Sequence, residues 1–213
     1  MRSGPAARKR REEKTIDACL KLAQLQEGGC LLVIETERRP SSGYYSDANN
    51  DLVRRDGKAF SVFDPDDRQA ITALASVDGA CIVSADGELK HYGATLRHSM
   101  NVPGHGKRHA FALGTSRSVK GAVCVLHSEE DHYTRVFRDG LCVAAISPNG
   151  RLRDGTRHRL AELLCNPITA TLAASGIVAS IFTLNPIPAI ITISGSSLIV
   201  REGFERLKKF VEG

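Results

Sequence analysis

Apolar residues come in two kinds of run along this chain. Cys30-Leu31-Leu32-Val33-Ile34 and Ala122-Val123-Cys124-Val125-Leu126 are continuous, too short for helices, and bounded by glycines and polar residues. Such runs predict strands buried on both faces. Ile16, Cys19, Leu20, Ala23 and Leu25 instead recur at helical spacing until Gly28-Gly29 interrupts them, so an amphipathic helix of about three turns starts near Thr15. Residues 35–51, with Pro40, Gly43 and two asparagines, read as a loop. A second helix begins at Asp64-Pro65-Asp66-Asp67, with Asp64 as cap, Pro65 in the first turn and Ala70, Ile71, Leu74 and Ala75 facing inward.

Beyond that helix, Cys81-Ile82-Val83, the turn Asp86-Gly87 and Leu89 to Tyr92 form a strand, turn and strand pattern. Residues 95–106 are irregular, and Arg108 to Thr115 can form a short helix. Tyr133 to Phe137, Asp139-Gly140 and Leu141 to Ile146 make another hairpin. Helices and strands alternate early and hairpins follow, which predicts an α/β fold: a single mixed-sheet domain flanked by helices over residues 14–147. Residues 1–13 are read as a basic flexible tail and residues 148–213 as a separate appendage.

Composition changes this picture little. The chain has 213 residues, is 42% hydrophobic and 25% charged, and carries a net charge of +5, as a folded protein with phosphate-bearing partners can. Aromatics make up only 5% and Trp is absent, so no stacking surface for specific nucleic-acid binding is expected. The six cysteines stand singly in apolar runs and read as small buried hydrophobes of a reducing, cytoplasmic compartment. The basic opening residues lack the apolar core of a secretory signal.

Candidate chemistry concentrates between Asp78 and Asp131. Asp78-Gly79-Ala80 pairs a carboxylate with small residues, Gly104-His105-Gly106-Lys107-Arg108-His109 is a glycine-rich basic turn, and Ser128-Glu129-Glu130-Asp131 follows a buried strand. Small residues let a ligand approach the backbone, cations suit phosphates, and carboxylates suit a divalent metal. Gly106 and Lys107 precede the short helix, at the positive end where phosphate binds well. Taken singly, each cluster is as readily a plain turn or a solvated loop. His91, His98, His105, His127 and His132 lack the spacing of metal ligands.

Three such clusters in this order resemble the diadenylate cyclase (DAC) domain family. Its members carry Asp-Gly-Ala, then a Gly-Thr-Arg-His-Arg motif, then Ser-Glu-Glu after a buried strand. Gly29 to Glu35 is similar to the family's first strand. The resemblance implies joining of two ATP molecules into cyclic di-AMP with release of pyrophosphate. It also implies Mg²⁺ or Mn²⁺ as cofactor and a second copy of the domain face to face with the first. By position, Asp78, Arg108 and His109 would be catalytic, with Asp78 and Glu129 holding the metal. Gly79, Ala80, Leu96, Gly106, Lys107, Ser128 and Glu129 would contact ATP, Leu96 at the adenine.

Two positions depart from the family motif: Lys107 replaces Thr and Ala110 replaces the second Arg. An alanine cannot grip a phosphate, so a catalytically weak or inactive nucleotide-sensing domain is the alternative. Gly155-Thr156-Arg157-His158-Arg159 repeats the motif letter for letter, but after Ser-Glu-Glu, where a basic helix start is the simpler reading.

From Leu163 to Val200 no side chain is charged, and Asn185-Pro186-Ile187-Pro188 interrupts the run. An apolar helical hairpin is expected there, attached to the cytoplasmic face of a membrane, the alternative being a buried helical hairpin or a pair of strands packed on a partner subunit. An amphipathic helix from Arg201 to Val211, with Phe204, Leu207 and Val211 on one face, would close the chain.

Overall fold

Strand β1 (Cys30–Glu35) is buried at every position and lies inside a mixed sheet. The structure is a computed structural model that describes residues 5–36, 43–101, 104–148, 154–165 and 179–181. Among these, the other strands are β2 (Tyr45–Ser46), β3 (Arg54–Arg55), β4 (Lys58–Ala59), β5 (Ala80–Ser84), β6 (Leu89–Leu96), β7 (Ala122–His127), β8 (Thr134–Arg138), β9 (Leu141–Ile146) and β10 (Ala179–Ile181). Eight of the described strands form one sheet in the order β10-β9-β8-β7-β1-β5-β6-β2, while β3 and β4 pair separately. β1 runs parallel to β5 and antiparallel to β7.

Alternate side chains of the inner strands enter opposite cores, as the pleat requires. Cys30, Leu32, Ile34, Cys81, Val83, Val123 and Val125 face the core that also holds Ile16, Cys19 and Leu20 of α1 (Pro5–Gln24), Ile71 of α2 (Pro65–Ala75) and Leu160 of α4 (Asp154–Leu164). Leu31, Val33, Ala80, Ile82, Cys124 and Leu126 face the other, against Ala112 of α3 (Lys107–Ser118). The expected mixed sheet flanked by helices is thus what the chain forms. All six cysteines are free thiols, five of them buried and Cys142 half-buried.

The termini of the helices show what the pattern could and could not set. Asp64 caps α2 by accepting the Asp66 N–H at 2.9 Å, as its sequence predicts. Asp67, on the same first turn, is buried because it accepts from Arg55 at 2.9 Å and from the Ser61 N–H at 3.0 Å. Helix α1 begins at Pro5, well ahead of the Thr15 start that the apolar spacing gives. Its early turns are polar and are held by tertiary partners: Arg8 donates to the Thr36 carbonyl at 2.6 Å, Arg11 pairs with Asp86 at 2.9 Å, and Glu12 faces Arg138 at 3.6 Å. Within the expected loop of residues 35–51, Tyr45–Ser46 pairs with the end of β6.

Helix α4 carries the second copy of the basic motif. Arg157 is buried there, and its Nε donates to Asp17 Oδ1 of α1 at 2.9 Å, so it latches two helices on the face opposite α3. Of the apolar stretch 163–200, Leu164 and Cys165 are buried in the α1-side core and Ala179–Ile181 pairs parallel to β9. The remainder of the expected hairpin and the 201–211 helix lie outside the described residues. No helix among the described residues is long and apolar enough to cross a membrane.

Candidate active site

The strand directions gather the three clusters. Parallel β1 and β5 both begin at one edge of the sheet, and antiparallel β7 ends there. Gly29 precedes β1, Asp78-Gly79 precedes β5, and Ser128-Glu129 follows β7. Helix α3 starts at the same place: Arg108 Nη2 lies 3.6 Å from Asp78 Oδ1, and Arg108 Nη1 lies 3.6 Å from Glu129 Oε2. One guanidinium therefore spans the Asp-Gly-Ala and Ser-Glu-Glu clusters.

The two carboxylates differ from their cation in exposure. Asp78 is fully exposed and Glu129 largely so, whereas Arg108 is mostly covered and its buried Nε has no hydrogen-bond acceptor among the described residues. Pairs this open are individually weak, so the arrangement contributes little to the fold and leaves both carboxylates and the guanidinium available to a ligand. Asp78 Oδ1 also accepts the Gly79 N–H at 3.0 Å, which orients the carboxylate on its turn.

Glycine is required at two points for different reasons. Gly79 has φ of +104°, and a Cβ there would come within 2.6 Å of the Gly93 backbone on β6, so the turn bearing Asp78 is pressed against the neighbouring strand. Gly29 has no such conformational demand. A Cβ on it would lie 2.4 Å from Arg108 Nη1 and 3.3 Å from Glu129 Oε2, and its N–H donates to Glu129 Oε2 at 3.4 Å. Gly29 thus leaves the space in which the guanidinium sits. The sequence marks it as a residue that stops a helix and, by resemblance, as the start of the family's first strand; its contact with Arg108 and Glu129 has no local signal.

Gly106 is the N-cap of α3 and offers no side-chain cap, so the first turn, with exposed Lys107, presents uncapped backbone donors and a positive helix end. His109 is buried beneath that turn. Its ring stacks on His105 with 4.3 Å between centroids, and Arg135 Nη1 lies 3.1 Å from its Nε2. Burial first, then the Arg135 and His105 charges, push the His109 pKa down to about 4, with Asp131 opposing. Hydrogen bonding from Arg135 holds the Asp131 carboxyl well below the usual carboxylate range.

The Ser-Glu-Glu turn is closed by the Ser128 N–H donating to the Tyr133 carbonyl at 3.0 Å, with Ser128 itself buried. Leu96 and Ala80 are buried in the α3-side core, Leu96 as the last residue of β6. Ala110 lies on α3, where its carbonyl accepts the Met100 N–H at 2.9 Å. The structure therefore brings Asp78, Arg108 and Glu129 together, sets Gly106 and Lys107 at the adjoining helix end, and places His109 one layer deeper. Arg135 and Asp131 join through His109; Asp131 belongs to the acidic cluster the sequence marks, whereas nothing in the local sequence signals Arg135.

Residues 17–142 match the sequence profile of the family described as DAC, DisA bacterial checkpoint controller nucleotide-binding. The diadenylate cyclase of Methanocaldococcus jannaschii is 32% identical over 99 residues, which cover 45% of this chain and 32% of that protein. The chain thus aligns with about a third of that curated relative's length. Among solved structures, a double mutant of DacA from Staphylococcus aureus is similar at 21% identity and a TM-score of 0.48, over 70% of this chain and 93% of that one. A Bacillus cereus protein described as a hypothetical membrane spanning protein is similar at 18% identity and a TM-score of 0.42, over 60% of each chain. With its profile match spanning more than half its length and the three clusters converging on Arg108, the chain belongs to the DAC nucleotide-binding family.

Proposed function

We propose that this chain joins two ATP molecules into cyclic di-AMP, releasing two pyrophosphates. The observation that carries the reading is the Arg108 bridge, which sets a cation between Asp78 and Glu129 beside the uncapped start of α3. Arg108 and the first-turn donors stabilise the charge that develops on the leaving pyrophosphate, and Lys107 adds a point charge at the same helix end.

Asp78 and Glu129 would hold Mg²⁺ or Mn²⁺. Among the described residues no three His, Cys, Asp or Glu side chains are grouped to hold an ion unaided. Two open carboxylates instead suit a hard ion whose shell is completed by phosphate oxygens and water. When bound, such an ion would lower the pKa of the attacking 3′-hydroxyl and screen phosphate charge. In this reading one domain holds one ATP, so the second nucleotide comes from a second copy facing the first.

Purified full-length chain incubated with ATP and Mg²⁺ or Mn²⁺, followed by chromatography, tests the reading. Cyclic di-AMP is expected; its absence from folded protein with both ions would end the claim of turnover. Ala110 motivates a second reading, a nucleotide sensor that binds without joining, which predicts calorimetric ATP binding with no product. That reading is abandoned if Asp78→Asn eliminates a robust synthesis. Attachment to a cytoplasmic membrane face through those residues of 163–200 that join neither the core nor β9 belongs with the proposal, and flotation of the full chain with lipid vesicles separates it from packing on a second copy.

A further inference from the structure

His109 is held from several sides. His105 stacks on its ring, Phe137 meets it edge-on at 6.4 Å between centroids, and Arg135 of β8 approaches Nε2 at 3.1 Å. A guanidinium carries only donors, so the Arg135 contact is a hydrogen bond only when Nε2 holds a lone pair. In a neutral imidazole the single proton then sits on Nδ1.

Arg135 is itself clamped. Its Nη1 donates to Asp131 Oδ1 at 3.0 Å and its Nη2 donates to Oδ2, while its guanidinium lies 5.0 Å from the centre of the Tyr133 ring. Asp131 is fixed in turn by the Tyr133 N–H at 3.1 Å. A bidentate carboxylate pair takes two of the guanidinium's five N–H donors and balances its charge. Arg135 is therefore poorly placed to serve as a substitute phosphate cation for the one missing at Ala110. The second N–H of Nη1 is the one that points at His109.

We infer that Arg135, clamped by Asp131, is a positioning residue that fixes His109 as the neutral Nδ1–H tautomer, so that His109 meets nucleotide phosphate as an uncharged hydrogen-bond donor. The identity of the ligand rests on the cyclase reading, whereas the tautomer follows from geometry alone. Besides Arg135 and Asp131, the titratable group on His109 is His105 from the preceding loop. Two of these three are basic and oppose a second proton on the ring, so the donor keeps one form across neutral pH.

The test is ¹⁵N NMR of the histidine side chains in the full chain, with His109 assigned by the resonance lost in His109→Gln. The wild-type protein is expected to show Nε2 unprotonated and Nδ1 protonated, and Arg135→Met should lose that single-tautomer signature while Arg135→Lys, which keeps a donor, retains it. A non-reactive ATP analogue is expected to move the Nδ1 resonance. In the cyclase assay, Arg135→Met should lower kcat on the order of 100-fold with KM for ATP little changed, with partial rescue by Arg135→Lys. A proton on Nε2 of wild-type His109, an unchanged tautomer in Arg135→Met, or an Nδ1 resonance indifferent to bound analogue overturns the inference. An inactive wild type whose His109 is the Nδ1–H form and responds to the analogue would sink the cyclase reading and leave this inference standing.

Discussion

Gly29→Ala separates the site from the fold without altering a charged residue. The new methyl would lie 2.4 Å from Arg108 Nη1, and ordinary contact begins near 3.4 Å, so the guanidinium must retreat by about 1 Å. The atom in the way is the far end of a flexible side chain, and Gly29 has no positive φ to defend. The loss of unfolded-state freedom in Gly→Ala, worth about 0.4–1 kcal/mol, offsets the small cost of moving Arg108. Stability should therefore change by less than about 1 kcal/mol, a Tm shift of roughly 2–4 °C at this size. Displacement by ~1 Å of a group that stabilises the transition state is another matter, and can cost about 100-fold or more in rate. The assays are thermal unfolding by circular dichroism and cyclic di-AMP production from ATP, run on the same preparations. An active Gly29→Ala protein within about twofold of wild type, or one that loses its cooperative unfolding, would refute the idea that Gly29 makes room for Arg108.

Gly79→Ala should do the reverse. Its methyl meets the Gly93 backbone at 2.6 Å and its φ is +104°, so the variant should lose on the order of 1–3 kcal/mol in chemical denaturation. Asp78→Asn leaves a fully exposed side chain in place and should unfold as wild type does while losing nearly all synthesis, as read by chromatography and Tm. His109 supplies a pH signature. Its folded pKa, about 4, lies below its unfolded value of about 6.5, so the unfolded chain binds the extra proton between those values. Stability should therefore fall as pH drops from about 6.5 toward 4, by up to ~3 kcal/mol from this group. Denaturant melts of wild type and His109→Gln should differ in slope over that window; His127, also held low by burial, contributes to both.

Much of the architecture was legible because the residues that set it act locally. The continuous run of β1, the Asp64 cap of α2, and the turns at Asp86-Gly87 and Asp139-Gly140 each encode their element within a few residues. The early turns of α1 were not legible, since Arg8, Arg11 and Glu12 are ordered by Thr36, Asp86 and Arg138 rather than by an apolar stripe. The same distinction holds at the site. Order and flanks placed Asp78, Arg108 and Glu129 together, because parallel β1 and β5 and antiparallel β7 leave their ends at one edge. Gly29 contacts Glu129 across 100 residues, and Arg135 reaches His109 from a strand that reads as ordinary hairpin; neither relation has a local signal. The literal motif copy at Gly155 shows the converse, for Arg157 matches the letters yet is spent on Asp17 of α1.

The most direct measurement is the reaction of the purified full-length chain with ATP and Mg²⁺ or Mn²⁺, with products resolved by chromatography and identified by mass. The account predicts cyclic di-AMP with two pyrophosphates per molecule formed, abolished by chelation of the ion and by Asp78→Asn. Folded protein that binds ATP yet yields no cyclic di-AMP with either ion would contradict it.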